Sequence, residues 1–399
     1  MTRSFSIGME FEKEESFREC CDSGMLSSMV KFSCRSVGVA ILENFPYLEN
    51  LKELIIDGSY IGDENAIYLS KFKCLKRLNA CSCNLGPKSL QYFSNLNSLE
   101  ELTLPYNKVS GGLYHLKKLK GLKKLDLSKN VLSMDDIEQL SEISNLNHLN
   151  LNGVDLGGKC MEYISKLPLI TLELEASNID EIGLGNISQI TTLSKLKLFG
   201  NNFGSESLRH LVKLSNLKYL SLAYNKIDDE GVEYLSLLQS LEYLSLSYNN
   251  IGNDGVQFIS KLENLSQLEL IRNRIDERGV QFISKMKNLT KLNLGENPIR
   301  NIGALYLSKM KQLKGLDLDG TKIDDFSIEH LCLMKNLQYL NIERTNLSET
   351  KVETLKESLK LVKNLELKLP YFAKPLKPKK KTREELEQFQ YQTLEEFNF

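Results

Sequence analysis

Residues 217–299 read LKYLSLAYNKIDDEGVEYLSLLQS, LEYLSLSYNNIGNDGVQFISKLEN, LSQLELIRNRIDERGVQFISKMKN and LTKLNLGENPI in succession. Leu217, Leu241, Leu265 and Leu289 stand 24 residues apart, and so do Asn225, Asn249, Asn273 and Asn297. A fixed period of this size marks stacked repeats, each unit burying its apolar face against its neighbours. Within one unit, Leu220 and Leu222 alternate with Tyr219, Ser221 and Ala223, which is the period of a short strand with one buried face. The Asn follows where the chain leaves the strand, and its amide can satisfy backbone groups that the turn would otherwise strand in the core. Asp229-Glu230-Gly231-Val232 then opens a helix with acid in its first turn, and Val232, Leu235 and Leu238 line one face of it. Stacking such units predicts a parallel sheet on one side and short helices on the other.

Working outward, the LxxLxL frame starts at Leu51, Leu75, Leu99, Leu122, Leu146, Leu169, Leu193, Leu217, Leu241, Leu265, Leu289, Leu313 and Leu337. An altered fourteenth frame is expected at Val362, 25 residues after Leu337. A degenerate one is expected before Leu51, with Val30 and Phe32 as its two inner apolar positions. Seven frames carry Asn after the strand, at 107, 130, 201, 225, 249, 273 and 297; Ser59, Cys83, Ser177, Thr321 and Thr345 replace it in five. Val154 cannot make such bonds, so 146–180 reads as the least regular part.

The motif LxxLxLxxNxI, repeated in register over about residues 27–369, resembles the leucine-rich repeat family. The resemblance implies an α/β solenoid, a horseshoe with a concave parallel β-sheet and short convex helices. The IGDEG-like helical segments are most similar to the 24-residue repeats of bacterial effector proteins and of ribonuclease-inhibitor relatives. About 14 repeats are expected over 27–369, after a cap segment at 1–26. Residues 370–399 are expected to form a Pro/Lys linker and an amphipathic helix lined by Leu386, Phe389, Thr393 and Phe397.

The formal net charge of −1 offers no field for nucleic acid or anionic membrane. The longest aliphatic run, 37–42, is far too short to span a bilayer. The first seventeen residues have no apolar run of secretory-signal length. Eight scattered cysteines do not form a disulfide framework, and a cytoplasmic chain with reduced thiols is expected.

No catalytic constellation is found around the four histidines, at 115, 148, 210 and 330, and no phosphate-binding glycine loop is present. Cys74, Cys81 and Cys83 could suggest a thiolate metal site, but the repeat frame turns them in different directions, which favours a structural role. Neither metal nor cofactor is expected, and the chain is read as non-enzymatic.

Residues two, four, six and seven past each frame Leu are not needed for the core and face the concave side. In the frames from Leu193 to Leu265 they include Phe199, Tyr219, Tyr224, Tyr243, Tyr248, Ile271 and Arg272, the candidate partner-binding residues. Adjacent strands should set Tyr219 beside Tyr243, and Tyr224 beside Tyr248. Exposed aromatics flanked by Arg and Lys have the composition of protein-binding hot spots; the plainer reading is that neighbouring tyrosines stack to stabilise the sheet. Glu173 and Glu175 beside Lys195 and Lys197 are either a charge-reading step or simple cross-strand ion pairs. The aromatics on the helices, Tyr68, Tyr92, Tyr163, Tyr234, Phe258, Phe282 and Tyr306, read as packing.

Lys379, Lys380 and Lys381 resemble a nuclear-import signal. The Glu/Phe-rich segment 383–399 looks like C-terminal export signals of type IV secretion substrates. A monomer that binds a protein partner is expected, as an effector delivered into a host cell or as a cytosolic or nuclear adaptor or inhibitor.

Overall fold

The computed structural model describes residues 30–33, 48 and 50–371. The segments 1–26 and 372–399, with the expected cap, the lysines at 379–381 and the terminal helix, lie outside the described residues.

Fifteen three-residue strands, from β1 (Lys31–Ser33) to β15 (Glu366–Lys368), form one sheet in chain order among the described residues. Every neighbouring pair is parallel. In the most regular part, β8 (Lys195–Lys197), β9 (Tyr219–Ser221), β10 (Tyr243–Ser245) and β11 (Gln267–Glu269) pair without a slip, so Leu196, Leu220, Leu244 and Leu268 align. Each unit then crosses to the opposite side. The helix Asp229–Leu235 is capped by Asp228, whose carboxylate accepts from the N–H of Glu230 and Gly231. Leu217, Leu220, Leu222, Ile227, Val232, Leu235 and Leu238 all close into the core between sheet and helix. Not every crossing is α-helical: Leu113–Lys118 and Ser205–Lys213 are 3₁₀.

The asparagines bind the units together. Asn225 donates to the carbonyls of Leu198, Leu222 and Ala223 at 3.1, 2.9 and 3.2 Å. Its side-chain oxygen accepts from the N–H of Asn201 and Phe203, both in the preceding unit. Asn273 and Asn297 repeat the pattern. Cys83 does part of this work, its thiol donating to the carbonyl of Ile56 at 3.0 Å. Val154 makes no side-chain bond, and the carbonyl of Leu151 is taken instead by the Ser177 hydroxyl. The irregular stretch around it carries a helix of only four residues, Met161–Ile164.

Two register expectations need correction. In the last unit Leu340 pairs with Leu367, so the frame begins at Asn364, two residues after Val362. The helix before it, Glu349–Leu359, is 11 residues long where that of a regular unit such as Asp229–Leu235 has 7, and that added turn takes up the extra chain. At the other end Phe32 pairs with Leu54, so it is the first inner apolar residue of its unit, while Val30 precedes the strand and is exposed.

On the helical side Tyr68, Tyr92, Tyr163, Tyr234, Phe258, Phe282 and Tyr306 pack partly buried against the core. In five of the seven a lysine three residues on lies over the ring, as Lys261 does over Phe258 at 4.7 Å.

Candidate binding face

The in-register pairing of β9 and β10 sets Tyr219 and Tyr243 directly opposite each other. Their rings are stacked, with centroids 4.0 Å apart and planes 2° from parallel. Lys195, one strand earlier, lies over the outer face of Tyr219 at 4.9 Å. A second row runs alongside where the strands end. Phe199 meets Tyr224 at 4.9 Å, Tyr224 stacks on Tyr248 at 4.0 Å, and the Arg272 guanidinium closes the row at 5.5 Å from Tyr248. Ile271 is half-buried beside it, its N–H bonded to the Ser247 hydroxyl. The seven candidate residues therefore fall in two neighbouring rows on the same face.

Between the two rows lie Ser221, Ala223, Ser245 and Ser247, small side chains only 3–8% exposed. They make the floor of a trough that crosses the strands. Tyr219, Tyr224 and Tyr248 present ring edges and hydroxyls, because their faces are covered by the neighbouring rings, by Lys195 and by Arg272. Burial raises the pKa of Tyr243, helped by its hydrogen bond with Tyr219 and by the Glu269 carboxylate; for Tyr248 the bond with Tyr224 is the main cause. These two hydroxyls keep their protons at neutral pH.

Tyr224, Tyr248 and Arg272 hold φ of +54°, +56° and +51°. This left-handed conformation recurs at the same place in the other units: Gly58, Gly153, Gly200 and Gly320 adopt it freely, and Ser82, Tyr106, Lys129, Ala176, Glu296 and Arg344 hold it as well. A bulky side chain there is a local cost of about 1 kcal/mol.

The neighbouring charges settle into pairs: Glu173 bridges Lys195 at 3.8 Å and Lys197 at 3.0 Å. Exposed cross-strand pairs of this kind contribute little. Farther on, Arg344 binds both Asp319 and Glu296.

A depression on this face was not foreseen from the sequence. It is an open cavity of about 310 Å³ over β12 (Lys291–Asn293), β13 (Gly315–Asp317) and β14 (Tyr339–Asn341). Gly315 creates it, as the one glycine within β1–β15 among the described residues. A glycine at a concave strand position was the available signal.

Cys83 is buried, which pushes its thiol up to about 12, whereas Cys74 is exposed in a loop. Among the described residues no group of three or more His, Cys, Asp or Glu is arranged to hold a metal ion, and no helix is long and apolar enough to cross a membrane.

The repeat letters and this geometry agree with comparison to known proteins. Residues 213–236 and 238–260 match one leucine-rich repeat family model and residues 287–347 another. The chain is a leucine-rich repeat protein. An internalin (InlF) of Listeria monocytogenes is similar in structure, with a TM-score of 0.55 and 22% identity over 90% of this chain and 94% of that one. A leucine-rich repeat protein of Leptospira interrogans gives 0.60 and 23% over 87% and 91%, and a TDR receptor gives 0.56 and 18% over 85% and 68%. At such identities the likeness is one of fold. No curated protein matches the sequence.

Proposed function

We propose that the chain is a non-enzymatic interaction protein that grips a protein partner on its concave face, through Phe199, Tyr219, Tyr224, Tyr243, Tyr248, Ile271 and Arg272. The observation that carries this reading is the double aromatic row on the concave side, with Tyr219 stacked on Tyr243 and Tyr224 on Tyr248. The covered ring faces disfavour nucleobases and sugars, which bind by stacking on open faces. Ring edges and hydroxyls over a small-residue floor suit a polypeptide surface.

A photo-reactive amino acid at position 271 should cross-link the partner, and one at the exposed helical-side position 237 should not. Equal cross-linking from both would contradict the assignment.

A second reading concerns where the protein acts. The Glu/Phe-rich residues 383–399 support delivery into a host cell as a bacterial effector, and deleting them should stop translocation of a reporter fusion. Lys379, Lys380 and Lys381 support instead a cytosolic or nuclear adaptor or inhibitor, whose nuclear accumulation would depend on them. Either way the chain acts as a monomer with neither metal nor cofactor.

A further inference from the structure

The cavity at Gly315 is a feature that the fold itself does not require. Its φ lies outside the left-handed region, and a Cβ built there would meet Lys291 Cγ at 3.5 Å, an ordinary contact. Glycine inside a strand weakens it and commonly marks a place where a ligand or another chain comes close. Neither backbone geometry nor packing explains the missing side chain.

The charges around the gap are sorted by burial. Glu269 and Asp317, at the central concave position of their strands, are half-buried, whereas Lys291 and Lys314 are exposed. Neither carboxylate has a cationic partner among the described residues. Asp317 is held in place by the N–H of Asp319 at 2.9 Å, the Asn341 amide at 3.1 Å and the Tyr339 hydroxyl at 3.4 Å. Tyr339 forms an aromatic wall on the side away from Lys291.

We propose that the Gly315 notch is an anchor pocket for a single basic side chain, arginine by preference, carried by the protein partner between acidic neighbours. The guanidinium spans the two carboxylates with its several donors, and its stem lies along Tyr339. Lys291 and Lys314 then meet the acidic flanks and repel a run of basic residues, which gives the pocket its selectivity. The proposal rests on the concave face being the protein-binding surface, but it adds a chemistry to that face and a place one strand beyond the tyrosines.

The probe is the capped tripeptide acetyl-Glu-Arg-Glu-amide, titrated calorimetrically into the full chain, with acetyl-Glu-Leu-Glu-amide and acetyl-Arg-Arg-Arg-amide for comparison. The first should bind at least about tenfold more tightly than the other two. Gly315→Leu should abolish that binding and Glu269→Gln should weaken it about tenfold, with circular dichroism and the thermal midpoint confirming that both variants fold. No binding to the native chain, equal binding of the three peptides, or undiminished binding by Gly315→Leu would each overturn the pocket. The Tyr224→Ala/Tyr248→Ala variant, whose residues do not line the notch, should still bind the tripeptide. Its failure to capture a protein partner would thus bear on the tyrosine face alone, and loss of tripeptide binding in it would contradict a separate pocket.

Discussion

The rings of Tyr219 and Tyr243 lie 4.0 Å apart and 2° from parallel, so each covers a face of the other. Changing both to Phe keeps the stack and removes the hydroxyls. If the hydroxyl row does the recognising, stability should stay within about 1 kcal/mol of the native chain while partner affinity falls at least about tenfold. Urea unfolding and a binding titration on the same samples check this; unchanged affinity would assign the contact to the ring edges.

Tyr224 offers a way to separate stability from function. Tyr224→Gly relieves a positive φ worth about 1 kcal/mol and loses ring contacts worth about 0.5–1.5 kcal/mol, so the two nearly cancel. Unfolding should therefore change little and binding should drop. A loss above about 2 kcal/mol in urea unfolding would mean that the tyrosine is there for packing.

These sites were unequally legible in the sequence. The leucines and asparagines announce the fold because a fixed period leaves one way to stack them, and the same registration set Tyr219 beside Tyr243. The two ends were misplaced by two residues each. A shift of two keeps the inside–outside alternation of a strand, so Val362 and Asn364 are equally good starts by pattern alone. Helix length decided between them, through the longer Glu349–Leu359. The trough floor and the Gly315 notch were passed over for a different reason: they are made by small or missing side chains, whereas a reading for binding residues looks for large ones.

Asn297 is the sharpest test of what holds the units together. It is 2% exposed, donates to Leu270, Leu294 and Gly295, and accepts from the N–H of Asn273 and Ile275. Asn297→Ala leaves several buried backbone groups without partners and should cost about 3 kcal/mol or more in urea unfolding. A change below about 1 kcal/mol would show that water replaces the amide at little cost.

Acid should loosen the helical side at Asp136. Burial pushes its carboxyl up, but hydrogen bonds from Ser110, Ser133 and Gly111 outweigh that and hold it below the usual range. A depressed folded pKa contributes stability above the unfolded value of about 4, and that stability is lost as pH falls through the folded value. Asp136→Asn should be less stable at neutral pH and should show a flatter decline below about pH 4. Parallel curves for the two proteins in pH-dependent thermal unfolding would contradict the assignment.

The most direct test of the concave-face account compares quantitative affinity capture from cell lysate by the native chain and by Tyr219→Ala/Tyr243→Ala, with thermal unfolding of both. The account predicts a protein retained by the native chain and lost from the variant, whose thermal midpoint stays within a few degrees of native. Capture of the same proteins in the same amounts by both forms would contradict it.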